Sequence, residues 1–206
     1  MPCIERREFI TLLAGATAVW PLGARAQQQP LPVIGYLSLA TPGGSAAPPG
    51  FMQGLTETGY VVGRNVAIEY RWAEDPDQMP ALATELVRRQ PSVIYASPTA
   101  AALAVKVATS TIPIVFGTGV DPVKFGLVTS LNRPGSNATG TTILAIELEG
   151  KRLELLHQLV PASETIAALL NPKNPSVDLQ AQNLQDAGRK LGRQIRIVYA
   201  ANDTAI

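Results

Sequence analysis

The chain has 206 residues, 46% hydrophobic and 16% charged, enough apolar material for a buried core and too little net charge for a disordered segment. The formal net charge is +1 and no stretch clusters Lys and Arg. That argues against a nucleic-acid partner, because neutralising phosphates needs such clusters.

The N-terminus carries an export pattern. Arg6 and Arg7 precede Glu8, Phe9 and Ile10, an apolar or small run continues to Leu22, and Ala24-Arg25-Ala26 offers small residues where a signal peptidase reads. The pattern predicts a cleaved signal peptide over residues 1–26. Arg-Arg-x-Phe-Ile resembles a twin-arginine signal, although Glu5 stands where Ser or Thr is usual; a Sec signal is the alternative. The run is shorter than the roughly 20 residues of a membrane-spanning helix. The expectation is a periplasmic protein, not membrane-inserted once the signal is removed. Cleavage also removes Cys3, the only cysteine, which precedes the apolar run and so is no lipoprotein anchor. A mature chain without thiols has no disulfide, cysteine-based zinc site or cysteine nucleophile.

After a polar lead-in over residues 27–32, short apolar runs alternate with amphipathic stretches. Val33–Leu39 reads as a buried strand, Phe51–Gly59 as a helix, Asn65–Trp72 as a strand. Pro42, Gly43, Gly44, Pro48, Pro49 and Gly50 delay the first helix until near Phe51. Asp77 is placed to cap a helix with Met79, Leu82, Ala83, Leu86 and Val87 on one face. Ser92–Ser97 is a strand, Thr99–Thr109 an alanine-rich helix, and Ile112–Phe116 a fourth strand. A short helix around Phe125–Leu131 and a strand near Ala138–Ile143 complete the unit. The alternation predicts an α/β fold: a doubly wound parallel sheet with right-handed crossovers, forming a first lobe over residues 32–143. A second lobe starts at residue 144. It comprises a helix over Glu147–Leu159, a strand Thr165–Leu170, a helix capped by Ser176 and running to Leu191, and a strand Gln194–Ala200. Two strands do not make a self-sufficient parallel sheet, so the region 144–206 is expected to be a truncated lobe.

Several stretches carry a resemblance: REFITLLAGA, GLTETGYVVGRNVAIEYRWAE, LVRRQPSVIYAS, KRLELLHQLVP, LLNPKNP and, most specific, DPVKFGLVTSLNRPGSNATG. Together they resemble the substrate-binding proteins of ABC transporters whose characterised relatives bind aromatic amino acids. The resemblance implies a type I periplasmic binding protein of flavodoxin-like strand order. It also implies a small-molecule ligand in an inter-lobe cleft closed by a hinge, no catalytic step and no cofactor, and a permease–ATPase complex as partner. The Pro/Gly interruption at 42–50 departs from the family's unbroken first helix.

Ligands of open α/β sheets bind beyond the carboxyl ends of the strands. That rule selects Ser38 and Thr41 after the first strand, Ser97-Pro98-Thr99 at a helix start, and Thr118, Gly119 and Asp121 after the fourth strand. Asn171 and Asn174 occupy the equivalent loop of the second lobe. The helix start at Thr99 suits a carboxylate, or else Ser97 or Thr99 merely caps its own helix. Asp121 could meet an ammonium group or cap a helix beginning at Pro122, and the two Asn could bind or simply form a turn. His157, beside Leu156 and Leu159, reads as a packing or surface histidine, and no catalytic triad, metal-ligand cluster or phosphate loop is evident. The rival functions are a periplasmic sensor subunit for a membrane receptor and an enzyme on the same fold. A mature protein ending at Ile206 is expected to bind weakly or not at all and to expose apolar faces that favour dimerisation.

Overall fold

In the computed structural model the described residues are 30–39 and 47–201. The expected signal peptide, Thr41 and the Pro42–Gly44 break lie outside them. Five strands, β1 (Val33–Leu39), β2 (Ala67–Ala73), β3 (Val93–Ala96), β4 (Ile114–Thr118) and β5 (Ala138–Thr142), form one sheet in the order β2-β1-β3-β4-β5. Every pairing is parallel. The chain steps outward from β1 to β2 and then back past β1 to β3, so the winding direction reverses between β1 and β3. The loops leaving those strands diverge there and open a crevice.

Each crossover is built from what its sequence permits. In α1 (Pro49–Glu57), Pro49 occupies the first turn, where a missing N–H costs nothing, so the helix starts two residues before the expected Phe51. Asp75, not the expected Asp77, opens the next crossover. Its carboxylate accepts from the Asp77 amide while the Gln78 side chain reaches back, closing a capping box ahead of α2 (Met79–Arg88). Asp77 misses the role because the cap belongs to a 3-10 turn over Pro76–Gln78 that precedes the helix. In α3 (Thr99–Ala108), Ala101 and Ala102 are wholly buried, and their small side chains let the helix lie close to the sheet. Leu37, Leu86, Ile94 and Val105 are also fully buried between the sheet and α2 and α3. Each such side chain contributes about 1.5–3 kcal/mol of transfer free energy.

The crossover from β4 to β5 departs from expectation. Over Phe125–Leu131 there is no regular helix, only a turn in which the Asp121 carboxylate accepts from the amides of Val123 and Lys124. Gly126 takes φ 71°, and the Leu127 amide reaches back five residues to Pro122, so the α-helical register cannot propagate.

The opposite face of the sheet carries an aromatic cluster. Parallel register sets Tyr36 beside Tyr70 on β2 and Tyr95 on β3. The Tyr36 ring lies 5.1–5.4 Å from the rings of Phe51, Tyr70, Trp72 and Tyr95. Phe51 comes from α1 and closes over Tyr95 at 5.1 Å.

A second parallel sheet pairs β6 (Thr165–Leu170) with β7 (Gln194–Tyr199), joined through α5 (Val177–Leu191) and preceded by α4 (Glu149–Leu159). Gly192 at φ 63° stops α5 in the left-handed conformation that glycine adopts freely. Leu153, Ile166 and Ile195 form a small core beneath α5, joined by Leu184, Ala187 and Leu191. Of Leu153, Leu156 and Val160 on α4 and at its end, only Leu153 is buried; Leu156 and Val160 are 40% and 45% exposed. Arg193 donates through Nε to His157 Nδ1, which gives the histidine a structural partner. No helix among the described residues is long and apolar enough to cross a membrane.

Candidate functional site

At the carboxyl ends of β1, β3 and β4 the first sheet meets the loop that follows β6. Between them is a cavity of about 260 Å³. Leu39, Pro98, Thr99, Gly119 and Val120 line it from the first sheet; Asn171, Asn174, Ser176 and Gln180 line it from the second. Ala145 and Ile146, on the segment joining the two sheets, close one side. Backbone bonds tie that segment down: Ile143 N–H donates to Thr118 O at 3.1 Å and Ala145 N–H to Gly119 O at 2.8 Å.

Two helix N-termini border the cavity. At α3 the cap position is Pro98, with no side-chain cap, so neither Ser97 nor Thr99 caps its own helix. At α5 the cap position is Ser176, again without a side-chain cap. The expected Ser176 side-chain cap fails because its backbone, at φ −101° and ψ 7°, is not in the extended conformation of a capping residue, and its hydroxyl turns to donate to Asn174 Oδ1, 3.0 Å away. Backbone N–H groups in the first turn of a helix have no intrahelical acceptor and carry the positive end of the helix dipole. An anion entering this cavity would meet that charge from both sides.

The loop side chains divide their hydrogen bonds between fold and cavity. Asn171 Oδ1 accepts from Lys173 N–H at 2.9 Å, and Asn174 Oδ1 from Ser176 N–H at 3.2 Å. Their oxygens therefore form turns, and the amide NH2 groups of these two cavity-lining residues donate to no acceptor among the described residues. The Thr99 and Thr118 hydroxyls share a bond of 2.6 Å, both buried, which locks the loop after β3 to that after β4. Of the expected site residues the fold thus gathers Pro98, Thr99, Gly119, Asn171 and Asn174 around one space. Thr118 supports Thr99 from behind, and Asp121 turns the backbone beyond β4. Ser97 donates its backbone N–H to Leu37 O, and Ser38 sits beside the Tyr36 phenol on the aromatic face. Gln180 was not among the expected residues. Its one advance signal is its spacing, one helical turn after Ser176, to whose carbonyl its N–H donates.

A charge bridge joins the two halves at the cavity's edge. Lys173 Nζ lies 2.6 Å from Asp75 Oδ2 and 2.7 Å from Asp77 Oδ2. Its hydrogen bond to Lys173, with that from the Asp77 amide, holds the Asp75 carboxyl below its ordinary value, and the two aspartates raise Lys173 above its own. A lowered carboxyl stabilises above pH 3.8 and loses that contribution as pH falls through its folded value. A raised amine stabilises below pH 10.5 and loses its contribution as pH rises. Lys173→Met is therefore expected to lower the melting temperature slightly across the neutral range, with the difference from wild type vanishing in strong acid, in strong alkali and in high salt. Melting curves of both proteins across pH check this; a difference that persists in acid refutes it.

The family model described as ABC transporter substrate binding protein matches residues 36–205. A tyrosine-binding protein of Clostridioides difficile strain R20291 is 35% identical over 143 residues, covering 68% of this chain and 41% of that protein. Among solved structures, a conserved domain protein from Vibrio cholerae superposes with a TM-score of 0.75 at 28% identity, covering 84% of this chain and 58% of that one. A Streptococcus pneumonia ABC domain in complex with L-Trp gives a TM-score of 0.71 at 23% identity, covering 86% and 60%. The chain thus spans less than two thirds of the length of each of these relatives. The five-stranded order and the second parallel sheet are those of a type I periplasmic binding protein.

Proposed function

The chain belongs to the ABC transporter substrate-binding protein family, and we propose that it serves an importer by holding a free amino acid in the cavity between its two sheets. The observation that carries this reading is the meeting of two uncapped helix N-termini at one cavity. Such an arrangement is suited to a carboxylate, and the Asn171 and Asn174 amides add neutral donors. The names of the tyrosine-binding relative and of the L-Trp complex support an aromatic amino acid as the ligand. Binding is reversible and leaves the ligand unchanged. The two sheets act as lobes of 32–143 and 144–206 hinged at residues 143–146, and the N-terminal 26 residues act as the export signal that delivers the protein to the periplasm. A permease and its ATPase are the partners.

Calorimetric titration with the proteinogenic amino acids tests the reading. Saturable binding of L-tyrosine or L-tryptophan at or below about 1 mM is expected, a free energy of about −4 kcal/mol. Ligand at 100 times Kd should add about 2.7 kcal/mol to unfolding stability. No saturation with any amino acid would overturn the proposal.

A further inference from the structure

Glu149 is the first residue of α4, and only 9% of it is exposed. The positive end of its own helix favours a negative charge there, yet burial pushes its carboxyl above the ordinary value. The Arg152 charge opposes that rise and Glu147 adds to it. Its Oε2 has no hydrogen-bond partner among the described residues. Its Oε1 accepts from Gln180 Nε2 at 3.0 Å. Gln180 is the residue on α5 that lines the cavity between the sheets.

An ionised carboxylate only accepts hydrogen bonds, so it fixes which end of the amide it holds. With one Nε2 hydrogen held by Glu149 the amide is oriented, and its carbonyl Oε1, which makes no hydrogen bond among the described residues, is the acceptor Gln180 offers a ligand beside the second N–H. The rest of the lining that carries polar hydrogens is donor-rich: two helix starts and two asparagine NH2 groups. Gln180 thus supplies an oriented acceptor in a cavity otherwise furnished to receive an anion.

We infer that Gln180 is a specificity-determining residue that accepts a hydrogen bond from the ligand's ammonium group, and that Glu149 is the positioning residue that orients it. The inference rests on the amino-acid reading above and adds how the cavity separates an amino acid from a carboxylic acid of the same shape. A site built to meet an N–H group rejects the analogue lacking it, because the buried acceptor is then left unpaired.

The test compares the Kd for L-tyrosine with that for its des-amino analogue, 3-(4-hydroxyphenyl)propanoate, in the 206-residue chain. Wild type is expected to favour the amino acid about tenfold or more. Gln180→Met, similar in length but without the carbonyl, should weaken L-tyrosine about tenfold and leave the analogue nearly unchanged, so the ratio falls towards one. Glu149→Met should shrink the ratio in the same way. Glu149→Gln, which keeps an acceptor for Nε2, should restore most of it. A helix-to-helix tie without a role in recognition would change both ligands together or neither. A wild type that binds the two ligands equally, or a Gln180→Met chain that keeps the ratio, overturns this inference while leaving the amino-acid reading standing. A wild type that binds no amino acid removes both.

Discussion

Replacing Tyr36 with alanine is expected to cost about 3–5 kcal/mol of unfolding free energy, the range found when a large aromatic side chain is removed from a packed core. Tyr36 is 1% exposed and is the hub of the cluster, with four other rings within 5.4 Å. No neighbour can fill the space, because Tyr70 and Tyr95 are fixed by strand register and Phe51 by α1. Tyr36→Phe keeps the ring and separates packing from the hydroxyl. Burial, and then the neighbouring Tyr95 and Tyr70, push the Tyr36 phenol up to about 12, against a lowering contribution from Ser38. A raised value means that the neutral phenol stabilises the fold below pH 10.0 and that this stabilisation is lost as pH rises through about 12. In an alkaline absorbance titration the last tyrosine to ionise is thus expected to vanish in Tyr36→Phe. Urea unfolding gives the packing effect; a loss below about 1 kcal/mol in Tyr36→Ala would refute the central role of the ring.

Gly140→Val is expected to be as damaging, and to strike the site as well as the fold. Gly140 pairs with Phe116 across β4 and β5. A Cβ there would run into the Phe116 carbonyl oxygen and come within 2.6 Å of its ring. A backbone oxygen in a paired strand cannot move aside, so β5 must separate from β4. The lost pairing carries Thr142 and the joining segment with it, and that segment closes the cavity through Ala145 and Ile146. The expected outcome is insoluble protein, or a melting temperature lower by about 10 °C or more, with ligand affinity lost at the temperature where wild type still binds. A Gly140→Val chain that melts within a few degrees of wild type and binds normally would show that the β4–β5 contact is looser than its geometry states.

Three strands of the first sheet were legible because the inner strands of a parallel sheet favour continuous apolar runs. VIGYLSL, SVIYAS and IPIVF are such runs, and Pro98, Thr99 and Gly119, which line the cavity beyond their carboxyl ends, follow from topology once the strands are placed. Residues whose role depends on a distant partner were not legible. Phe125–Leu131 has helical spacing of apolar residues, but Gly126 and the Asp121 turn take the backbone elsewhere. Asp77 looks like a cap in sequence, yet Asp75 has the geometry, because Pro76 begins a 3-10 turn and shifts the cap by two residues. Asn171 and Asn174 looked like either turn formers or ligand contacts. Each amide has two ends, and the oxygen serves the turn while the nitrogen remains for the cavity. Gln180 and Glu149 are 31 residues apart, and neither lies in a motif. In sequence both read as polar positions on amphipathic helices, and only the packing of α4 against α5 shows that one orients the other.

The aromatic cluster gives the molecule an optical property. The chain holds two tryptophans, Trp20 and Trp72, and Trp20 falls within the expected signal peptide. Trp72 stacks on Tyr70 with 8° between the ring planes and a centroid distance of 5.8 Å, and it stands three residues before Asp75, the partner of Lys173. Tyrosines at that separation pass their excitation to the indole, so ultraviolet light absorbed across the cluster emerges largely as tryptophan emission. Any swing of the Asp75 loop that accompanies opening between the two sheets pulls on the strand end that holds this indole. If the proposed signal is removed and the two sheets open and close on the proposed hinge, Trp72 would be the one tryptophan left and would report that motion without a dye.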